Sequence, residues 1–312
     1  MAKASDLKAQ NTQLIRSCFF EGESRSLSDI RHMTGLSHGS IVNALRELEE
    51  NGEIRLHEKT GGSVGRKTYR YTLNPDYLHF GCLSILTGEK GYRFHAKIRT
   101  LDNVSLFSET ADTERFEKRD ILPMLARMME AWHPDLLLVS SPGVCVNGVI
   151  EGETDFDLGQ VIRDTWQVPF VIENDVNTAV IGLHRQYPGD RHLALVYQAA
   201  GNKFGIGIII HGRLYNGYSH AAGEVRYLPF MADKEHRRDK DLLKDQILSV
   251  MAMLNPEAVA YYSETVEEDI HIEEKELPER YTPQLLRIRD YSSLISDGFY
   301  SIGMHIYAGG IK

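Results

Sequence analysis

The polar cluster Glu173-Asn174-Asp175 sits between the apolar pair Val171-Ile172 and the run Val176, Ala179, Val180, Leu183, spaced three and four residues apart. That pattern predicts a strand ending at the cluster and a helix starting from it. Carboxylates and an amide where a strand meets a helix are placed where α/β folds bind ligands. There a carboxylate can accept a proton from a hydroxyl, and the amide of Asn174 offers a donor and an acceptor. The plainer role for Asn174 or Asp175 is to cap the helix. These residues alone leave both roles open.

A second set of reactive side chains lies near the N-terminus. Leu7, Asn11, Leu14, Ile15, Cys18 and Phe19 share one face of a helix over residues 6–20. Ser28 is expected to cap a short helix from Asp29 to Thr34, and Gly35 then permits a left-handed turn. A further helix is expected from His38 to Glu50, ending at Asn51-Gly52. Its apolar stripe of Ile41, Leu45 and Leu48 leaves His38, Ser40, Asn43 and Arg46 outside. Alternating segments at 54–57 and 69–73 flank a glycine-rich turn with Lys59, Arg66 and Lys67. Short helix, glycine turn, amphipathic helix and basic hairpin form the pattern of a winged helix-turn-helix. Lys59, Arg66 and Lys67 would hold phosphates, and Asn43 could pair with an adenine edge. The alternative use of such a head is protein contact, with its basic tip merely solvated.

The elements around the first cluster follow an α/β rhythm. Three strands (80–86, 92–98, 104–108) precede a helix over 121–132 and a strand over 136–140. After the cluster come strands over 192–197 and 205–211, a helix over 241–253, a strand over 285–289 and a last helix over 294–308. Two similar halves predict two lobes with a cleft between them. We therefore expect a head over 1–74, a first lobe over 75–190 and a second over 191–312. The net charge of -9 divides into +2 for residues 1–74 and -11 for the rest, which suits a head that meets a polyanion and a body that does not. Cys18, Cys82 and Cys145 are widely separated, so neither a disulfide framework nor a zinc cluster is expected. No apolar run approaches the roughly 18 residues of a membrane span, and no secretory signal opens the chain. The expectation is a soluble cytoplasmic protein that does not engage a membrane.

Taken with the head, Ser141-Pro142-Gly143, Glu173-Asn174-Asp175-Val176-Asn177, the segment 205–212 and Ala222-Gly223-Glu224 resemble the ROK family (repressors, open reading frames and kinases). The resemblance implies an actin-like, sugar-kinase-like (ribonuclease H-like) body with a winged helix-turn-helix in front. It implies that Asn174, Asp175 and Glu224 contact a sugar, with Asp175 at the position of the kinases' general base. Asp155 stands near the place of a further sugar-contacting Asn. The departures from the family are equally specific. Leu83–Thr87 lacks the first phosphate loop's Asp and Gly, Asn202-Lys203-Phe204 interrupts the second loop, and Ala260-Tyr261-Tyr262 replaces a double glycine on the adenosine side. The family's zinc site is missing its His, where Tyr227 stands, and its cysteines.

The sequence thus predicts a regulator, of repressor type and without catalysis, cofactor or metal. It would bind double-stranded operator DNA as a homodimer or higher homo-oligomer and sense a sugar-like effector in the cleft. Two alternatives stay open: a divergent ATP-dependent sugar kinase, and a ligand-independent regulator whose body serves dimerisation.

Overall fold

The structure, a computed structural model, describes residues 4–20, 22–60, 68–88, 91–146, 149–151, 154, 156–200 and 203–309. In the head, α1 (Ala4–Ser17), β1 (Arg25–Ser26), α2 (Leu27–Thr34), α3 (His38–Glu50), β2 (Ile54–Thr60) and β3 (Thr68–Leu73) follow in order, with sheet order β1-β3-β2. The cap of α2 is Ser26 rather than Ser28. Its hydroxyl accepts from the Asp29 amide while the Asp29 carboxylate accepts from the Ser26 amide, closing a capping box. Gly35 ends α2 in the left-handed conformation, and the Ser37 hydroxyl caps α3 through the Ser40 amide. Arg70 on β3 ties the sheet to Ser24 and pairs with Asp29 at 3.2 Å.

The first lobe holds β4 (Phe80–Gly88), β5 (Gly91–Arg99), β6 (Ser105–Thr113), α4 (Lys118–Trp132) and β7 (Leu136–Ser141). It continues with β8 (Val144–Val146), β9 (Val149–Glu151), α5 (Leu158–Thr165) and β10 (Phe170–Asn174), followed by α6 (Asp175–Gln186). The second holds β11 (Leu193–Ala199), β12 (Lys203–Ile210), β13 (Arg213–Leu214), α7 (Asp239–Leu254), β14 (Ala258–Ser263) and β15 (Gln284–Arg287), followed by α8 (Tyr291–Gly309). The two five-stranded sheets have orders β10-β7-β4-β5-β6 and β13-β12-β11-β14-β15. Each is an antiparallel three-strand meander joined through its first strand to a parallel pair. The fold is α/β with the two-lobed, actin-like body expected. The small hairpin β8–β9, helix α5 and strand β14 had no separate signal in the sequence. Ala260 and Tyr261 accordingly lie inside a strand buried between β11 and β15, not in a loop.

Alternation along the strands sorts the cores. Leu137 and Val139 face α4, while Leu136 and Leu138 face the opposite side; Ala194 and Val196 face α7, while Leu193 and Leu195 face away from it. The central layer between the sheets consists of α6 and α8, and they are exchanged. Although α6 follows the first lobe's last strand, it packs on β11 and β12; α8 follows the second lobe's last strand and packs on β4 and β7. The expected boundary near residue 190 follows the chain but not the packing. The boundary near 74 is likewise crossed, because Ile15, Cys18 and Phe19 of the head share one apolar cluster with Tyr300, Met304 and Tyr307 of α8.

Candidate functional site

Strand β10 ends, and α6 begins, at the polar cluster. Asn174 is the helix cap: its Oδ1 accepts from the amides of Val176 (2.9 Å) and Asn177 (3.1 Å), and its Nδ2 donates to the Gly143 carbonyl at 2.8 Å. The plain capping role is therefore real, and it also anchors the Pro142-Gly143 loop to α6. Glu173 Oε1 accepts from the Asn174 amide and from Asn177 Nδ2. Asp175, only 4% exposed, has Oδ1 2.9 Å from the Val176 amide.

Asn174, Asp175 and Asn177 line a cavity of about 320 Å³ between the lobes, together with Thr87, Tyr197, Lys203, His220, Glu224, Arg226 and Lys234. The structure thus brings Asn174, Asp175 and Glu224 into one place. Glu224 is carried there by Gly223, whose backbone is left-handed (φ +87) and so close to β12 that a Cβ would stand 1.8 Å from the Ile206 carbonyl oxygen. Only glycine fits that approach. Glu224 pairs with Arg226 at 2.8 Å. Gly205 and Gly207 have a packing reason too: a Cβ there would meet the Val176 side chain at 2.9 Å and the Val176 carbonyl oxygen at 2.7 Å, so they let β12 lie on the first turn of α6.

The buried charge of Asp175 is felt around it. Burial, and then the carboxylates of Glu173 and Asp175, push the Cys145 thiol far above its usual range. Burial and Asp175 raise the Tyr197 and Tyr291 hydroxyls likewise, so all three groups stay neutral at physiological pH. In the cavity the carboxylates of Asp175 and Glu224 stand with the hydroxyls of Thr87 and Tyr197 and the basic Lys203, Arg226 and Lys234, a set that suits recognition of a polyol. Lys203, Lys234, His220 and Tyr197 are contributed by loops and strands distant in sequence. Of these, only Lys203 carried a sequence signal, as an interruption of the second phosphate loop. Lys203 Nζ lies 5.4 Å over the Tyr92 ring, spanning from the second lobe to the first. Beside this cavity is a second, walled by Tyr197, Tyr262 and Tyr291, whose rings stack with centroids 4.5 to 5.8 Å apart. It lies at the end of β14, which contributes Tyr262.

In the head, α3 buries Ile41, Ala44, Leu45 and Leu48 and exposes His38, Asn43 and Arg46. Ser40 is half-buried, and its hydroxyl lies 2.9 Å from that of Ser37, within the cap. Lys59 lies on β2 opposite Tyr69. Arg66, Lys67 and Asp155 lie outside the described residues. Among the described residues, no group of three or more His, Cys, Asp or Glu is arranged to hold a metal ion, and Tyr227 is exposed. No helix among them is long and apolar enough to cross a membrane.

Comparison with known proteins gives this geometry its context. Residues 139–236 match the ROK family. The xylose repressors of Bacillus subtilis and Bacillus spizizenii are each 23% identical over 247 residues, 73% of this chain and 62% of theirs, so the chain spans about six tenths of their length. Among solved structures, a ROK family transcriptional regulator described as a homolog of the E. coli MLC protein superposes with a TM-score of 0.67 at 16% identity, covering 97% of both chains. A ROK family protein from Streptococcus pneumoniae TIGR4 in complex with sucrose superposes with a TM-score of 0.54 at 17% identity, over 72% of this chain and 98% of its own.

Proposed function

Starting from a chain that carries a ROK family domain, we propose that this protein is a DNA-binding transcriptional regulator of repressor type whose cleft senses a sugar or sugar derivative. The observation that carries the reading is the coexistence of two sites in one chain. One is the interlobe cavity built on Asn174, Asp175 and Glu224. The other is a helix–turn–helix whose second helix presents His38, Asn43 and Arg46 to solvent. The resemblance to xylose repressors supports the sign of the regulation.

The head acts as a winged helix-turn-helix. Helix α3 enters the major groove, Asn43 and Arg46 reach base edges, and Lys59, Arg66 and Lys67 of the hairpin hold phosphate. Two copies bind a palindromic operator as a homodimer, their heads about one helical turn apart. In the cleft, Asp175 accepts from a sugar hydroxyl and Glu224 from a second, while the spare N–H of Asn174 donates. Asp155, near the place of a further sugar-contacting Asn in the family, is the remaining candidate contact. Bound sugar favours one lobe arrangement, and the heads then fit the operator less well.

The test has two stages. Selection of bound sequences from random or genomic fragments with the full chain identifies an operator, and Asn43→Ala or Arg46→Ala should weaken it by one to two orders of magnitude. A thermal-shift panel of free sugars, D-xylose included, and sugar phosphates then identifies the effector, with Asp175→Asn abolishing the shift. An operator release that no panel member alters refutes the sensing half.

A second reading, ATP-dependent sugar kinase, is favoured by the presence of Asp175 and Lys203 in one cavity. It predicts phosphoryl transfer to a sugar that disappears in Asp175→Asn. The chain's degenerate phosphate loops oppose it.

A further inference from the structure

Helix α6 starts at the cavity and crosses α8 with backbone against backbone. A Cβ added at Gly182 would stand 1.9 Å from the Leu294 carbonyl oxygen, and one at Gly298 would stand 2.0 Å from that of Thr178. No side-chain layer separates the two helices, so one cannot slide without carrying the other. Close-packed interiors switch between discrete arrangements rather than deform gradually. Beyond the crossing, Gln186 Nε2 donates to Asp297 at 2.8 Å, and the Arg185 guanidinium lies 4.3 Å over the Tyr300 ring.

From there α8 runs to the head. The Tyr300 hydroxyl lies 2.9 Å from the Leu101 carbonyl oxygen and 3.2 Å from that of Phe20. In the last turn of α8, the Tyr307 hydroxyl donates to Glu53 Oε2 at 3.0 Å. Glu53 follows the Asn51 cap of α3: its amide donates to the Leu48 carbonyl at 2.8 Å, and its carboxylate accepts from Nε and Nη2 of Arg16 in α1 at 2.7 and 2.8 Å. The residues that hold the head thus sit at the C-terminal end of the helix that reads DNA in the reading above.

We propose that α8 is a transmission shaft, keyed to α6 at Gly182 and Gly298 and bolted to the head at Tyr300 and Tyr307, through which the state of the cavity sets the tilt of α3. It rests on the reading of the cavity as an effector site and of the head as a DNA reader. Because α6 packs on the second lobe's sheet and α8 on the first lobe's, a change in the angle between the lobes has to pass through their crossing. An effector that binds one lobe arrangement more tightly shifts the head by the same free energy with which operator DNA shifts effector binding.

Hydrogen–deuterium exchange of the full chain, with neither DNA nor sugar present, tests the shaft itself. Tyr307→Phe removes one hydrogen bond to a charged group and keeps the ring. It should speed exchange roughly tenfold in residues 4–20 and 48–54, and measurably in residues 174–182 at the far end of the shaft. Gly298→Ala, at the crossing, should speed exchange in 174–182 and equally in 4–20 and 48–54. If Gly298→Ala does not fold, Asp297→Ala takes its place with the same expectation. Effects confined to residues 174–186 and 291–302, with the head as protected as in the parent, would overturn the shaft. Failure of the regulator reading would show instead as an absence of operator or sugar binding, which this measurement does not involve.

Discussion

Substituting Arg16 by Met isolates the electrostatics of the head–body junction. The Glu53 side chain is 1% exposed, and its carboxylate accepts the two Arg16 bonds, the Tyr307 hydroxyl at 3.0 Å and a long contact from Asn51 Nδ2 at 3.5 Å. Met fills much of the aliphatic volume of Arg but leaves a buried carboxylate without its counter-charge. Removing one partner of a buried pair costs about 3–5 kcal/mol, and because Tyr307 and Asn51 still donate, the lower end, about 3 kcal/mol, applies here. Urea unfolding followed by circular dichroism measures the loss. The double variant Arg16→Met/Glu53→Leu should recover most of it, since an apolar pair of similar size has no charge to desolvate. The comparison is Arg93→Met, which breaks a pair whose side chains are 62% and 65% exposed and should leave the unfolding midpoint nearly unchanged. If Arg16→Met costs no more than Arg93→Met, water reaches Glu53 and the junction is an ordinary surface contact.

Asn174→Ala removes the cap of α6 and the link to Gly143, and should lower stability by about 1–2 kcal/mol in denaturant titrations, with Asn174→Asp losing less. Gly223→Ala places a methyl against the Ile206 carbonyl in a left-handed backbone, so Glu224 leaves the cavity; effector binding should disappear in calorimetry while the head's affinity for operator persists. His95, half-buried and 3.0 Å from the Ser108 hydroxyl, is held below its ordinary value of 6.5 by burial, then by Lys97 and Arg99. A base with a depressed folded-state value binds fewer protons folded than unfolded, so its contribution is complete above pH 6.5 and falls away as the pH drops below it. His95→Gln should flatten the stability-versus-pH curve on that acid side.

How much of this was legible in the chain varies with the range of the interactions. The head's helices follow from local chemistry: Gly35 can turn left-handed, and the stripe Ile41, Leu45, Leu48 selects one face of α3. The cap of α2 lies two residues before the expected Ser28, because either serine could precede the helix and only the reciprocal bond with Asp29 selects Ser26. Strand β14 gives no signal of its own because the short apolar run over residues 258–262 carries no periodicity once both its faces are packed. The glycines of 205–207, readable as part of a phosphate loop, are required by the contact of β12 with Val176 and Val180.

The cluster Glu173-Asn174-Asp175 at a strand–helix junction, the alternation of the two lobes and the polar edge of α3 are each written in the order and spacing of neighbouring residues. Tertiary structure alone decided the rest. It assembled the cavity from Thr87, Tyr197, Lys203 and Glu224, and it exchanged α6 and α8 between the sheets. It also buried Glu53 between Arg16 and Tyr307, a partner 254 residues away. A side chain's charge and size are local properties, but its burial and its partner depend on which distant segments the whole chain brings against it.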